Sequence, residues 1–291
     1  MSSKPIERWR DKPAIGGFAL FLAVGLAPLA CGILYGGLYS IGVAGMLATG
    51  ATLEPWRRVL TGGEFWESLA YSLYIAAAVI SWGVAGALVL TFALGRRIRR
   101  GGLEYALLVP MALPGAVAGF FVYQMLSGSG LAVRLGLRAG LIETAAQLPA
   151  LTNDGPGAGI VLAQLIMAIP FFTLLFVQIA DAERLDELLS LARALGAGRL
   201  QGVLRVGVPI ILRGAASNIC LFFIVVMGSY EIPLLLGRQT PEMLSVLALR
   251  KYAMYDLAQK PEAFVVALLY TLATAGLVVA VSRRKGSRFG T

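Results

Sequence analysis

Glu231, in the stretch MGSYEIPLLLG, is the one ionisable side chain set well inside an uncharged block of this sequence. A carboxylate in such a place is costly unless it faces water or protein, so it marks a candidate solute pathway. Tyr230 beside it and Pro233 two residues on complete that candidate group. A hydrated carboxylate at headgroup level is the competing reading. Ion-coupled transport usually needs several buried charges, and one alone is a weak basis for it.

Catalytic chemistry is scarcer still. The chain has no histidine, which removes the commonest general base and metal ligand. Its two cysteines, Cys31 and Cys220, are far apart in sequence and both fall in apolar blocks. They therefore suggest neither a metal site nor a secreted disulfide framework. No GxxxxGK[ST] phosphate loop occurs, and no lysine directly follows a glycine. No serine or cysteine has a base partner nearby. The expectation is a protein with no catalytic residue, no metal and no cofactor, which is not an enzyme. Energy for moving a solute would come from a partner.

The elements that must position Glu231 follow from composition. Of 291 residues, 58% are hydrophobic and 14% charged, against about 25% charged in soluble domains. Crossing the hydrocarbon takes about 20 apolar residues. Six blocks qualify, near 15–43, 68–94, 105–127, 157–180, 215–237 and 262–282. With no water to satisfy the backbone there, blocks of this length must be helices. The expected fold is all-α, a polytopic membrane protein with six transmembrane helices and both termini cytoplasmic. The first block follows a basic start, but its apolar run is too long for a cleaved signal peptide.

The net charge of +9 could suggest nucleic acid, but its distribution says otherwise. With the N-terminus placed in the cytoplasm, the cytoplasmic pieces hold 17 Lys/Arg against seven acids. Lys4, Arg8, Arg10 and Lys12 open the chain, Arg96, Arg97, Arg99 and Arg100 follow the second span, and Arg283, Arg284, Lys285 and Arg288 follow the sixth. Everything else holds eight Lys/Arg against nine acids. That is the positive-inside bias of a membrane protein, and no nucleic-acid partner is expected.

A polar segment, residues 181–214, interrupts the hydrocarbon between the fourth and fifth spans, with Arg184, Arg193, Arg199, Arg205 and Arg213 spread along it. Leu185, Leu188, Leu189, Ala192 and Leu195 recur at helical spacing and predict one apolar face. Gly196 suits a C-cap or turn. A second short helix carrying Leu200, Val203 and Leu204 would follow, with Pro209 in the first turn of the next helix. The prediction is a helix–turn–helix at the cytoplasmic surface. An amphipathic loop that directs its arginines to lipid phosphates is the alternative.

SLARALGAGRLQGVLRVGVP resembles the signature loop of the inner-membrane permease subunits of type I ABC importers. That signature is Glu-Ala-Ala, three residues, Gly, nine residues, Ile, any residue, Leu-Pro. Ala192 matches its last alanine and Gly196 its glycine, and Val206, Gly207, Val208 and Pro209 stand for its final four. Ser190 and Leu191 replace the Glu-Ala pair, with Glu187 one turn earlier. FWESLAYSLYIAAAVISWGVAGALVL, LLVPMALPGAVAGF, AIPFFTLLF and GSYEIPLLLGRQTPEMLSVL are similar to the second, third and fourth spans and the end of the fifth span of the same family, closest to its polyamine (spermidine/putrescine) branch.

The resemblance implies a single permease domain over 1–291, in the bacterial inner membrane among lipid. It implies that the loop docks as a coupling helix into an ATP-hydrolysing subunit, present as a dimer, through Ala192, Leu195, Gly196, Ala197, Arg199 and Pro209. It also implies a second permease subunit, identical or homologous, and an extracytoplasmic substrate-binding protein received by the loops 128–156 and 238–261. The substrate would be polyamine-like or another small polar solute. An ion-coupled secondary transporter and, further off, an intramembrane enzyme are the alternatives.

Pro28, Pro110, Pro114, Pro170 and Pro233 fall inside spans and are expected to bend them. Gly32/Gly36 and Gly115/Gly119 are small-x₃-small pairs suited to close helix contact. In the loop 128–156, helical segments are expected to end at Pro149.

Overall fold

The computed structural model describes residues 17, 20–45, 50–99, 101–147 and 151–286, with side-chain surroundings as far as 279. The basic cluster of residues 4–12, the start of the first expected span, Arg100, Pro149 and the side chains of the last basic cluster lie outside the described residues. Every described element is helical: α1 Leu22–Ser40, α2 Glu54–Thr61, α3 Gly63–Arg99, α4 Leu103–Met111, α5 Gly115–Leu126, α6 Leu131–Arg138, α7 Ala158–Ala182, α8 Leu185–Ala194, α9 Arg199–Met227, α10 Glu231–Leu236, α11 Leu244–Ala253 and α12 Lys260–Gly286. Short 3₁₀ turns at Ala145–Gln147 and Leu257–Gln259 complete the set. Among the described residues, six stretches are long and apolar enough to cross a membrane.

The prolines sort into three behaviours. Pro28 and Pro209 each follow directly on a single wide π-turn, Leu22–Leu26 and Val203–Gly207, in which the amides of Ala27 and Val208 reach back five residues. Widening the turn by one residue makes room for a ring that would otherwise strike the carbonyl four residues earlier. Pro170 is simply carried inside α7. Pro114 interrupts the third span: α4 stops at Met111, and Pro114, extended at ψ 145°, starts α5. The residue before a proline avoids the helical region, which fixes the break at Leu113.

Three expectations need correction. The third span, expected as one helix over 105–127, is two helices with Ala112–Pro114 between them. The fifth, expected over 215–237, begins at Arg199 and ends at Met227, because the π-turn lets the helix run unbroken through Pro209. No separate short helix precedes Pro209, so the polar interruption shrinks to the residues between α7 and α9. Beyond Met227 the chain breaks again at Gly228–Tyr230 before α10.

Helices α3 and α7 form the central pair and run parallel, with Gly83 facing Ala168 and Gly95 facing Val177. A Cβ on Gly83 would lie 3.2 Å from the Ala168 Cβ, so glycine sets the separation of this pair. Helix α9 packs antiparallel on both, and Phe222 meets Phe171 and Phe172 at ring-centroid distances of 5.1 and 5.0 Å. Each such aromatic pair adds about 0.5–1.5 kcal/mol beyond area burial. Gly36, not Gly32, makes the close contact of the first small-residue pair, against Phe264 of α12.

At the loop-rich end, away from the arginines of α3, an ion-pair network ties α3, α11 and α12. Arg250 pairs with Glu64 and, at 2.7 Å, with Glu242, while Lys251 pairs with Glu64 at 2.9 Å and Glu262 at 3.0 Å.

Candidate functional site

The first candidate region is the turn that links α7 to α9. Helix α7 ends at Ala182, and Arg184, at φ +47°, turns the chain sharply into α8. Helix α8 ends in a Schellman motif: Ala197 N–H donates to Ala192 O at 3.0 Å and Gly196 N–H to Arg193 O at 2.9 Å. That motif places Gly196 at φ +89°, a left-handed position that suits glycine. A Cβ there would meet nothing within 4 Å. The glycine is therefore required for its backbone angle and not for room within this chain. Gly198 then starts α9.

The apolar face expected on α8 divides in two. Leu185 is 3% exposed and a Cβ on Gly202 of α9 would lie 3.6 Å from Leu189 Cδ2, so that side is the seat of the helix. Leu195 is 81% and Leu200 70% exposed, and Leu191 is exposed beside them. The corner of the turn thus presents leucines to nothing in this chain. The split follows from geometry: Leu191 lies off the stripe of Leu185 and Leu189, and Leu195, the C-cap whose amide still donates to Leu191 O at 3.1 Å, lies at the far end of the helix from Leu185. Of the sequence-derived coupling residues, Ala192, Leu195, Gly196, Ala197 and Arg199 come together at this turn, whereas Pro209 lies inside α9.

Sequence reasoning missed what holds the turn from behind. The Arg99 guanidinium pairs with Asp181 Oδ1 through Nε at 2.6 Å and with Asp186 Oδ2 through Nη1 at 2.8 Å. One side chain at the end of α3 thereby clamps the end of α7 and the start of α8. Read in sequence, Arg99 was one more charge in a topology signal. The acids Asp181 and Asp186 on either side of the turn were the available hint.

The second region is where the two broken spans meet. Glu231 starts α10, and its Oε2 accepts from the Ala116 amide at the start of α5 at 2.6 Å. A carboxylate is favoured there because the first amides of a helix have no internal acceptor and carry partial positive charge. A Cβ on Gly115 would lie 2.9 Å from the same Oε2, and one on Gly119 3.3 Å from Leu235. The Gly115/Gly119 pair is thus the face on which α10 lies. Glu231 has no Lys or Arg partner within salt-bridge distance among the described residues.

Tyr230 and Pro233 do not join Glu231 in one site. Tyr230 lines an open groove of about 560 Å³ with Ser245, Tyr252 and Phe264, and Pro233 is buried in packing. A second polar tie at the break was also missed: Gln164 Nε2 donates to Ser229 Oγ at 2.6 Å, and the Ser245 hydroxyl donates to Ser229 O. Gln164, a lone amide in the fourth span, was its signal.

No family model matches this sequence, and no curated protein matches it. Among solved structures, 94% of the chain is similar to 93% of a chain from the crystal structure of a bacterial alginate ABC transporter in complex with alginate pentasaccharide-bound periplasmic protein, with TM-score 0.65 and 13% identity. A crystal structure of a bacterial ABC transporter involved in the import of the acidic polysaccharide alginate matches 96% of the chain with 94% of its own, at TM-score 0.60 and 13% identity. The fold is shared with those transporter chains. At this identity the likeness concerns backbone arrangement, and neither structure's description mentions polyamines.

Proposed function

We propose that the chain is the permease subunit of an ATP-driven ABC importer, with the Gly196 turn as the contact for a separate ATPase. One observation carries the reading. The turn is held from behind by Arg99 and seated through Leu185, yet Leu191, Leu195 and Leu200 are left uncovered at its corner. A helix fixed to the bundle with an unburied apolar corner suits passing a partner's motion inward. The shared fold over nearly the whole chain supports the same reading.

In this proposal the arginine-rich end faces the cytoplasm, the chain sits in a bacterial inner membrane, and the substrate path runs between this chain and a second permease subunit. The loop-rich end, knit by Arg250 and Lys251, receives a substrate-binding protein. The sequence resemblance leans to polyamines, and both structural neighbours are described with alginate. Glu231 already holds Ala116 N–H and offers no carboxylate cluster for a polycation. We therefore propose a small polar solute and leave its charge open.

The test is reconstitution in proteoliposomes, with and without an ATPase and a binding protein from the same genome. The chain alone hydrolyses no ATP, and solute-stimulated hydrolysis appears only in the full assembly. ATP turnover by the chain alone would sink the proposal.

The two broken spans favour one other reading, an ion-coupled carrier, since such carriers place interrupted helices at their sites. Here a single carboxylate meets the break, with no second ionisable side chain bonded to it among the described residues. Uptake that follows an ion gradient without any ATPase would favour the carrier.

A further inference from the structure

We propose that the cleft enclosed by the ends of α3 and α7, by α8 and by the start of α9 binds a phosphate ester group, with an anionic phospholipid headgroup or a free phosphate compound as its source. The cleft has a volume of about 670 Å³, and Arg96, Arg97, Arg99, Arg193 and Arg199 line it against a single acid, Asp186. Topology explains why arginines gather at this end. It does not explain why side chains from three helices, α3, α8 and α9, converge on one concavity.

The five are not equivalent. Arg99 is occupied by Asp181 and Asp186. Arg193 is turned back on its own helix, donating to Leu189 O and Ser190 Oγ. Arg96, Arg97 and Arg199 have no ion pair or side-chain hydrogen bond among the described residues. Two of these stand at the end of α3 and one at the start of α9, so like charges line separate walls of a confined space. A bound dianion or diester would offset that repulsion. The guanidinium fork suits phosphate oxygens, which it can hold in pairs.

The lining favours phosphate over other anions. The cleft lies where α3 and α7 end, which the proposed topology puts on the cytoplasmic side, and Phe92, Leu185 and Leu189 add apolar wall beside the arginines. Basic pockets between spanning helices are general sites for acidic headgroups. A phosphate held here would bridge α3 to α9 across the back of α8.

The full chain, purified in detergent, is incubated with equal amounts of phosphatidylglycerol and phosphatidylcholine, washed, and its retained lipid is counted by mass. Native protein retains phosphatidylglycerol selectively. The double variant Arg97→Gln/Arg199→Gln lowers its affinity roughly thirty-fold, whereas Arg213→Gln, exposed and outside the cleft, leaves it unchanged. Single variants Arg96→Gln and Arg97→Gln, each checked for a monodisperse elution profile, give smaller losses and guard against misfolding of the double variant. Inorganic phosphate that strips the lipid at millimolar concentration identifies a free phosphate compound as the better ligand, and phosphatidylglycerol that persists identifies the lipid. Equal retention by the native and double-variant proteins, or an equal loss in Arg213→Gln, overturns the proposal. No ATPase takes part, so the outcome is independent of the proposed coupling role.

Discussion

The Gly196 turn and the Glu231 junction are built on opposite principles. At the turn, the Arg99–Asp186 pair and a buried leucine fix α8 to the bundle, Arg99–Asp181 ties the helix before it, and a Schellman motif closes its end. At the junction, one hydrogen bond from a backbone amide joins α5 to the start of α10, over a seam of glycines. The first is tied by charge. The second has a single polar contact between its two helices, and apolar packing of Ile232 and Leu235 on the glycine face supplies the rest. On the proposed permease reading, a chain that alternates between two states uses both kinds of joint, with the charged tie at one end and the glycine seam in the middle.

The largest effect that would sharpen this contrast is expected at the turn. Gly196→Trp forces a side chain onto φ +89°, which costs about 1–2 kcal/mol in backbone strain, and it adds bulk at the proposed ATPase contact. Uptake by the reconstituted assembly should fall by more than about tenfold, with the six spans still inserted. Gly196→Ala separates the two causes, since its methyl meets open space and only the strain remains. Near-normal uptake with tryptophan would remove the turn from the coupling path.

Next comes the clamp. Arg99→Ala leaves Asp181 and Asp186 facing each other unpaired. Both acids are more than half exposed, so the loss of stability should be about 1 kcal/mol. The functional expectation is different in kind: ATP hydrolysis persists but responds several-fold less to solute. Unchanged stimulation would mean that α8 needs no tie to α3.

Glu231 should respond more mildly, and in a revealing order. Glutamine keeps an oxygen to accept from Ala116 and loses only the charge, whereas alanine loses the contact. Charge-assisted bonds are roughly twice as strong as neutral ones, so Glu231→Gln should change uptake by a few-fold and Glu231→Ala by more. Identical, near-normal uptake in both variants would show that the junction contact is incidental.

The smallest effect belongs to the loop-rich end. Burial alone would lower the Lys251 ammonium, but hydrogen bonds to Glu64 and Glu262 outweigh it and hold it above the ordinary 10.5. Its stabilising contribution is thus fully present below 10.5 and is lost as pH rises through the raised value. Thermal unfolding of the native protein should acquire an extra alkaline loss that Lys251→Met lacks. Parallel curves for the two proteins would contradict the pairing.

The six spans and the Gly196 turn were legible in sequence because hydropathy and a left-handed cap are local signals. The breaks were not. Pro114 and the segment Gly228–Tyr230 fall within apolar sequence, so a hydropathy window passes over them. The start of α9 was hidden for the converse reason, since Arg199 and Arg205 look like a loop although a helix can carry them. The two contacts that define the sites were out of reach altogether. Arg99 and Asp186 lie 87 residues apart, and Glu231 meets Ala116 across 115 through an amide that every residue type but proline provides.

Helix α9 has a mechanical consequence. It starts immediately after the Gly196 turn and ends four residues before Glu231, with 29 residues in a single uninterrupted column. At 1.5 Å per residue such a column is about 44 Å long, and a tilt of roughly 10° about one end carries the other by about 8 Å. That is far more than is needed to pull a carboxylate away from an amide. With an ATPase docked at the Gly196 turn, as proposed, the helix is a lever whose handle is the exposed corner and whose working tip is the junction. The π-turn at Val203–Gly207, close to the handle, is the point at which the stroke could be lost to bending.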